Sequence, residues 1–249
     1  GFYKKDNQII GIYFVLPEKF YFKTDFILAG QSVDTLIDKK FRGNLQALRN
    51  LTNLVYEEIK NNDIKFIYGI PNKNIYLIRK KLLGWNDIAY VNSYFLLKYS
   101  YLQNFLLFIK KILNNLINQN KELDHFETKD KSIKSYKDEV VKIKNTEFVF
   151  RTLQNNNKNY AYILKILPSK KMNIDEVFHY LKKKNYNRIV FLTNQNLTLD
   201  NAFKLPKIFN KNKILLCGKI LDENNKQITY DVIRKFKFDL INLDIMNPN

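Results

Sequence analysis

"DTLIDKKFRGNLQALRNL", Asp34 to Leu51, changes its period partway along. The first residues alternate as an extended strand does, whereas Leu45, Leu48, Leu51 and Val55 recur at helical spacing. Between the two lie Lys39, Lys40, Phe41, Arg42, Gly43 and Asn44. A strand that enters a helix through such a loop offers solvent the first N–H groups of the helix and the positive end of its dipole. Phosphate oxygens bind such a terminus; Gly43 allows close approach of the backbone, and Arg42 with Lys39 and Lys40 adds charge. The same spacing also fits an ordinary strand-to-helix turn with solvated basic residues.

Upstream, "GIYFVLPEKFYF" from Gly11 reads as a strand, a turn at Pro17 and Glu18, and the start of a second strand. "DFILAGQSVDTLID" is another strand, with Gly30 as a bulge or close-approach position. Downstream, a helix is predicted from about Asn44 to Asn62 and a buried strand from Ile64 to Ile70. "PNKNIYLIRKKLLGW" reads as a turn, a helix capped by Asn72 or Asn74, and a glycine stop at Gly84. "DIAYVNSYFLLKYS" is one more strand or a bulged pair. The order β-β-β-α-β-α-β predicts an α/β layer arrangement.

Tyr101 to Asn120 carries apolar residues at helical spacing, which fits a helix packed between domains or one on a membrane surface with Lys110 and Lys111 at the headgroups. A polar run follows. "NYAYILKIL" then reads as a strand, "NIDEVFHYLKKKN" as a helix capped by Asn173, "NRIVFLTNQ" as a strand, and the tail as alternating strands and turns. The organisation predicted is a first domain over residues 1–100, a connecting helix and linker over 101–129, and a second α/β domain over 130–249.

The chain has 249 residues, 45% hydrophobic and 14% aromatic, enough to fill a core. Lys+Arg at 42 against Asp+Glu at 24 gives +18, which favours anionic partners: nucleotides, nucleic acid or an acidic membrane surface. The joint richness in Lys, Asn and Ile also fits coding composition alone. Cys217 stands by itself, which excludes an internal disulfide and a thiolate-based metal site and points to a reducing, cytoplasmic compartment. His125 and His179 lack partners at ligand spacing, so no metal is expected. No apolar run approaches the roughly 20 residues of a membrane span. No strand interleaves aromatic and basic residues as RNA-recognition modules do, so specific base readout is not expected.

The stretch from Gln31 to Trp85 resembles the core of GNAT-type N-acetyltransferases, and "FIYGIPNKNIY" resembles their tandem-domain members. Those include enhanced-intracellular-survival proteins and enzymes encoded with surface-polysaccharide genes. The pyrophosphate loop of that superfamily reads Arg or Gln, two residues, Gly, one residue, then Gly or Ala. Arg42 takes the first place and Ala47 the last; Leu45 replaces the middle glycine, with Gly43 nearby. The resemblance implies a mixed sheet flanked by helices, with a second module readable as a degenerate GNAT-like domain. It implies acetyl-CoA as cosubstrate, its pyrophosphate on Phe41, Arg42, Gly43, Asn44, Leu45, Gln46 and Ala47. Backbone amides of Val33, Thr35, Leu36 and Ile37 would hold the pantetheine arm, and Asn72 joins the set at the start of the next helix. A base must take the amine proton, with Asp34 and Glu18 as candidates, and Tyr76 is the candidate donor to the departing thiolate. The tyrosine more usual in the family maps to Lys80. In the second half Arg151, in "FRTLQNNNKNY", opens no phosphate loop. The family places a strand and two helices ahead of the hairpin at which this sequence opens. The reaction implied is acyl transfer from coenzyme A to an amine, on an amino sugar or a cell-surface precursor. The alternatives are an aminoacyl-tRNA-dependent cell-wall peptide transferase and an inactive basic module for nucleic acid or an anionic surface.

Overall fold

The structure is a computed structural model and describes residues 1–22, 25–97, 127–128, 138–155, 157–168, 171–197, 199, 202–204, 214–222 and 228–239. The first elements are β1 (Phe2–Lys5), β2 (Gln8–Phe22), β3 (Asp25–Ile37), α1 (Leu45–Asn61), β4 (Phe66–Gly69), α2 (Lys73–Leu83), β5 (Asn86–Tyr90), β6 (Asn92–Leu97) and β7 (Glu127–Thr128). There follow β8 (Asp138–Ile143), β9 (Thr146–Asn155), β10 (Lys158–Leu167), α3 (Lys171–Lys183), β11 (Arg188–Thr193), β12 (Phe203–Lys204), β13 (Leu215–Ile220) and the single turn α4 (Tyr230–Ile233). The predicted helix at Tyr101 to Asn120 and His125 lie outside the described residues.

One sheet runs β1-β2-β3-β4-β13-β5, with β7 on the edge of β2; the other, read from its far end, runs β8-β9-β10-β11-β6-β12. Pairing sense repeats between them. In each sheet the first three strands are antiparallel, the third pairs parallel with the fourth, and the last two joins are antiparallel. The fifth strand is exchanged. β6 follows the strands of the first sheet in sequence yet sits between β11 and β12, and β13 follows those of the second yet sits between β4 and β5. "DIAYVNSYFLLKYS" is therefore two strands in different sheets.

Among the described residues three apolar clusters lie on the faces of these sheets. Leu51, Val55, Tyr56, Leu83 and Trp85 from α1, α2 and the turn after α2 cover one face of the first sheet against Tyr13, Ile67 and Cys217. Ile174, Val177, Phe178 and Leu181 of α3 cover the outer face of the second sheet. Between the sheets, Phe20, Phe66 and Tyr68 meet Val149, Leu164, Val190 and Leu192, with Ile228, Ile233, Phe236 and Phe238 wedged among them.

Several local expectations change. Pro17 and Glu18 form no turn: β2 passes straight through them, Pro17 opposite Gly30 and Glu18 opposite Ala29. Proline is tolerated because, among the described residues, β1 pairs β2 only as far as Ile12 and β7 only at Phe20 and Tyr21, which leaves a stretch of edge where no N–H is needed. Gly30 is a close-approach glycine, where a Cβ would lie 2.6 Å from Val15 Cγ1, and the bulge falls later, at Val33 and Asp34. Asn173 lies inside the first turn of α3, which begins at Lys171. After β13 the tail turns into α4 before a single bridge, Thr193 to Asp239.

Candidate functional site

The basic loop is open. The Asp38 carboxylate accepts from Lys40 N at 2.8 Å, a single 3-10 turn spans Lys39–Phe41, and Arg42 Nε donates to Ile37 O at 3.3 Å. That last bond ties the loop to the end of β3. Gly43 adopts φ +86° with nothing within 4 Å of where a Cβ would stand, a conformation that L side chains resist. Asn44 Oδ1 accepts from Ala47 N at 3.0 Å and caps α1. Arg42, Gly43, Asn44, Leu45 and Gln46 are exposed, Phe41 is half-buried and Ala47 is buried. Leu45 and Gln46 are thus exposed, and helix geometry leaves their amides without intrahelical acceptors.

Behind the loop lies a fork. β3 and β4 pair only where Ala29 to Gln31 meet Phe66 to Tyr68. β3 runs on to Ile37 while β4 stops at Gly69. Just past the pairing, Tyr13 faces Thr35 and Val15 faces Ser32, so Val33 and Asp34 together oppose Phe14. Such a bulge releases one residue's ladder groups from the partner strand. Asp34 and Leu36 are exposed; Val33, Thr35 and Ile37 are half-buried.

A buried polar cluster fills the base of the fork on the α1/α2 side. Arg79 Nη2 donates to Ser32 Oγ at 2.9 Å, and Tyr13 OH donates to the same oxygen at 3.0 Å. The guanidinium stacks on the Trp85 ring, 4.4 Å from its centroid, and Trp85 Nε1 donates to Tyr56 OH at 2.7 Å. Burial pushes the Tyr13 and Tyr56 phenols up, against the opposing pull of Arg79, so both stay protonated. Sequence reading missed this cluster. Its one legible signal is that Ile75, Arg79 and Leu83 repeat every four residues, which sets a charge on an apolar face.

Tyr76 points elsewhere. Its hydroxyl donates to Asp87 at 3.1 and 3.2 Å, Lys80 Nζ donates to Asp87 at 2.8 Å, and Cys217 Sγ lies 3.4 Å from the same carboxylate. Asp87 is on β5, beyond β13, so this group sits two strands away from β4, about 10 Å at ordinary strand spacing. Burial pushes the Asp87 carboxyl up, but the hydrogen bonds from Lys80, Cys217 and Tyr76 outweigh it and hold it below its ordinary value. A carboxyl lowered on folding adds stability above its unfolded value, near pH 4, and loses it as pH falls through the folded value. Acid unfolding curves of Asp87→Asn are therefore expected to be flatter below about pH 4 than those of the parent. Burial, with the Asp87 hydrogen bond and charge behind it, pushes the Cys217 thiol up to about 12. At about pH 8 a thiol-specific disulfide reagent should leave Cys217 untouched in the native protein and label it promptly in denaturant; native-state labelling at the denatured rate would contradict the burial.

Glu18 lies on the opposite face of the first sheet, 5% exposed, and accepts from Tyr68 OH at 2.5 Å. Burial, then the Glu18 charge, raises the Tyr68 phenol well above its ordinary value. The carboxylate lies under the inter-sheet core. Asn72 is spent on α2, accepting from Asn74 N at 3.0 Å and Ile75 N at 3.1 Å. His179 is exposed on α3, and Arg151 sits in β9, paired with Asp138 at 2.6 Å. Among the described residues no group of three His, Cys, Asp or Glu side chains could hold a metal, and no helix is long and apolar enough to cross a membrane.

The second sheet repeats the bulge and plugs its fork. β10 and β11 pair from Tyr160 to Ile163, after which Leu164 is the extra residue of a bulge. Beyond it, the chain's own segment from Phe236 to Asp239 lies against β11. Asn194 Nδ2 donates to Phe236 O at 2.7 Å, Phe238 N donates to Asn194 Oδ1 at 2.9 Å, and Asp239 bridges Thr193. Asp239, wholly buried, has Lys237 Nζ at 3.1 Å and Lys165 Nζ at 3.8 Å.

The fold as a whole is similar to that of solved structures. A GCN5-related N-acetyltransferase from Anabaena variabilis aligns with a TM-score of 0.52 at 12% identity, over 88% of this chain and 61% of that one. The fold is that of the GCN5-related N-acetyltransferases. A second such protein, from Kribbella flavida, gives 0.52 at 4% identity over 88% and 59%. A conserved protein of unknown function from Enterococcus faecalis, a probable N-acyltransferase, gives 0.54 at 8% over 88% and 61%. The chain thus spans about three fifths of the length of these GNAT-fold proteins. No protein-family model and no curated protein matches the sequence. The basic loop lies between β3 and α1.

Proposed function

We propose that the chain is an N-acyltransferase of the tandem-domain kind, moving an acetyl or related acyl group from coenzyme A to an amine. The observation that carries the reading is the open, Asn44-capped start of α1 directly behind a bulged strand that leads into the β3–β4 fork. Pyrophosphate would rest on the Leu45 and Gln46 amides with Arg42, Lys39 and Lys40 around it. The pantetheine arm would run along the released backbone from Ile37 to Val33 and bring the thioester to Ser32. Leu45, 49% exposed, leaves room beside the helix start although it replaces a glycine.

Of the two carboxylates, Asp34 is the one an incoming amine can reach, and it is our candidate base. Glu18, closed in by Tyr68 and the inter-sheet core, holds the sheet instead. An amino sugar or cell-surface precursor is the acceptor class favoured by the tandem resemblance. The second module, its fork plugged, would serve the first as a scaffold without coenzyme of its own.

Titration calorimetry with acetyl-CoA, on the parent and on Arg42→Glu, tests the reading. Saturable binding by the parent, weakened about tenfold or more in the variant, is the expected result, since a charge-assisted contact contributes about 1.5–3 kcal/mol. A parent that ignores acetyl-CoA yet binds generic nucleic acid with a steep salt dependence would put the inactive basic module in its place.

A further inference from the structure

Arg79 is 7% exposed, and among the described residues no carboxylate pairs with it. Its partners are the Ser32 hydroxyl and the Trp85 face, with the Tyr13 and Tyr56 phenols, which stay neutral, nearby. A buried cation without an anion carries a large desolvation cost, several kcal/mol per ion. Its position is equally specific. From α2 it crosses over β4 to reach β3, and a Cβ placed on Gly69 would lie 3.4 Å from Arg79 Nη1 and 3.0 Å from Ser32 O. The guanidinium therefore spans the base of the fork, where an arm laid along β3 from the α1 loop would end. Tyr76, three residues earlier on α2, turns to Asp87 two strands away.

We propose that Arg79 stabilises the thiolate that leaves when the acyl group departs from coenzyme A, an inference that rests on the acyl-CoA reading above. The amine nitrogen attacks the thioester carbonyl carbon, forming the C–N bond while the carbonyl π pair moves to oxygen. Re-forming C=O breaks the C–S bond, and that pair leaves on sulfur; the ammonium proton passes to Asp34 or solvent. Arg79 gives up no proton, because a guanidinium cannot be deprotonated in a protein, and it supplies fixed positive charge at the sulfur. Ser32 and Trp85 hold it in place, so that little reorganisation accompanies the bond breaking.

The test compares the affinities of coenzyme A and desulfo-coenzyme A by calorimetry across about pH 6 to pH 9. A cation at the sulfur lowers the thiol's pKa in the complex, so the preference for coenzyme A over its desulfo analogue should grow with pH. The growth is about tenfold for each unit of lowering, between the bound and free values. Arg79→Gln should flatten the ratio and Arg79→Lys should retain most of the rise. A flat ratio in the parent, or one unchanged in Arg79→Gln, overturns the assignment even though both ligands bind. Failure of both ligands to bind the parent removes the acyl-CoA reading itself. If the Gln variant does not fold, the ratio in the parent and in Arg79→Lys still decides.

Discussion

Asp239→Asn is expected to lower the unfolding free energy by about 3–5 kcal/mol, the usual result of removing one partner from a buried ion pair. Asp239 is wholly buried, and so are Lys237 and Lys165, which approach its carboxylate at 3.1 and 3.8 Å. Neutralising the aspartate removes the carboxylate that the two buried ammonium groups share. A stability of about 5–15 kcal/mol, ordinary for a folded protein, would be cut by a large fraction. Urea unfolding followed by circular dichroism reads the effect as a fall in midpoint at constant slope. The triple change of Lys165→Met, Lys237→Met and Asp239→Leu should recover most of the loss, because a well-packed apolar cluster can match a buried ionic one. A loss below about 1 kcal/mol in Asp239→Asn would show that water reaches the trio.

Phe236→Ala is the second change with a large expected effect, again about 3–5 kcal/mol. The Phe236 ring centroid lies 5.0 Å from that of Phe20 and 5.2 Å from that of Phe66, and the residue is 1% exposed. Its carbonyl is held by Asn194 at the end of β11, so the same residue serves both sheets. The cavity left behind would open between them. Hydrogen exchange should therefore quicken at Phe66 to Tyr68 on β4 and at Val190 to Thr193 on β11 in parallel. Faster exchange in one sheet alone would mean that the segment is a local cover and not a common support.

Charge placement separates the two forks. At the first, buried Arg79 is hydrogen-bonded to Ser32; at the second, the chain's own Asp239 meets the lysines. Among the described residues the same strand-bulge-helix frame thus ends once in an opening and once in a plug.

The stretch from Asp34 to Leu51 determined by itself the strand, the basic loop and the helix, because each depends on local chemistry. Asn44 caps whatever helix follows it, Gly43 supplies a positive φ, and the leucines repeat on one face. The α/β class and the order of the first elements follow from the same local signals. Pro17 misled the reading, since a proline in a strand is permitted only when the neighbouring edge is free, a fact about the partner and not about the residue. The exchange of β6 and β13 was settled in three dimensions. "NSYFLL" and "LLCGKI" are both short apolar runs, and nothing in either names a sheet. Gly218 admits β4 only because a Cβ there would stand 2.6 Å from Ile67 O, a contact that exists once the strands are paired. Arg79 and Ser32, 47 positions apart, meet for the same reason: burial and pairing across the sheet, not spacing along the chain, brought the charge to the fork.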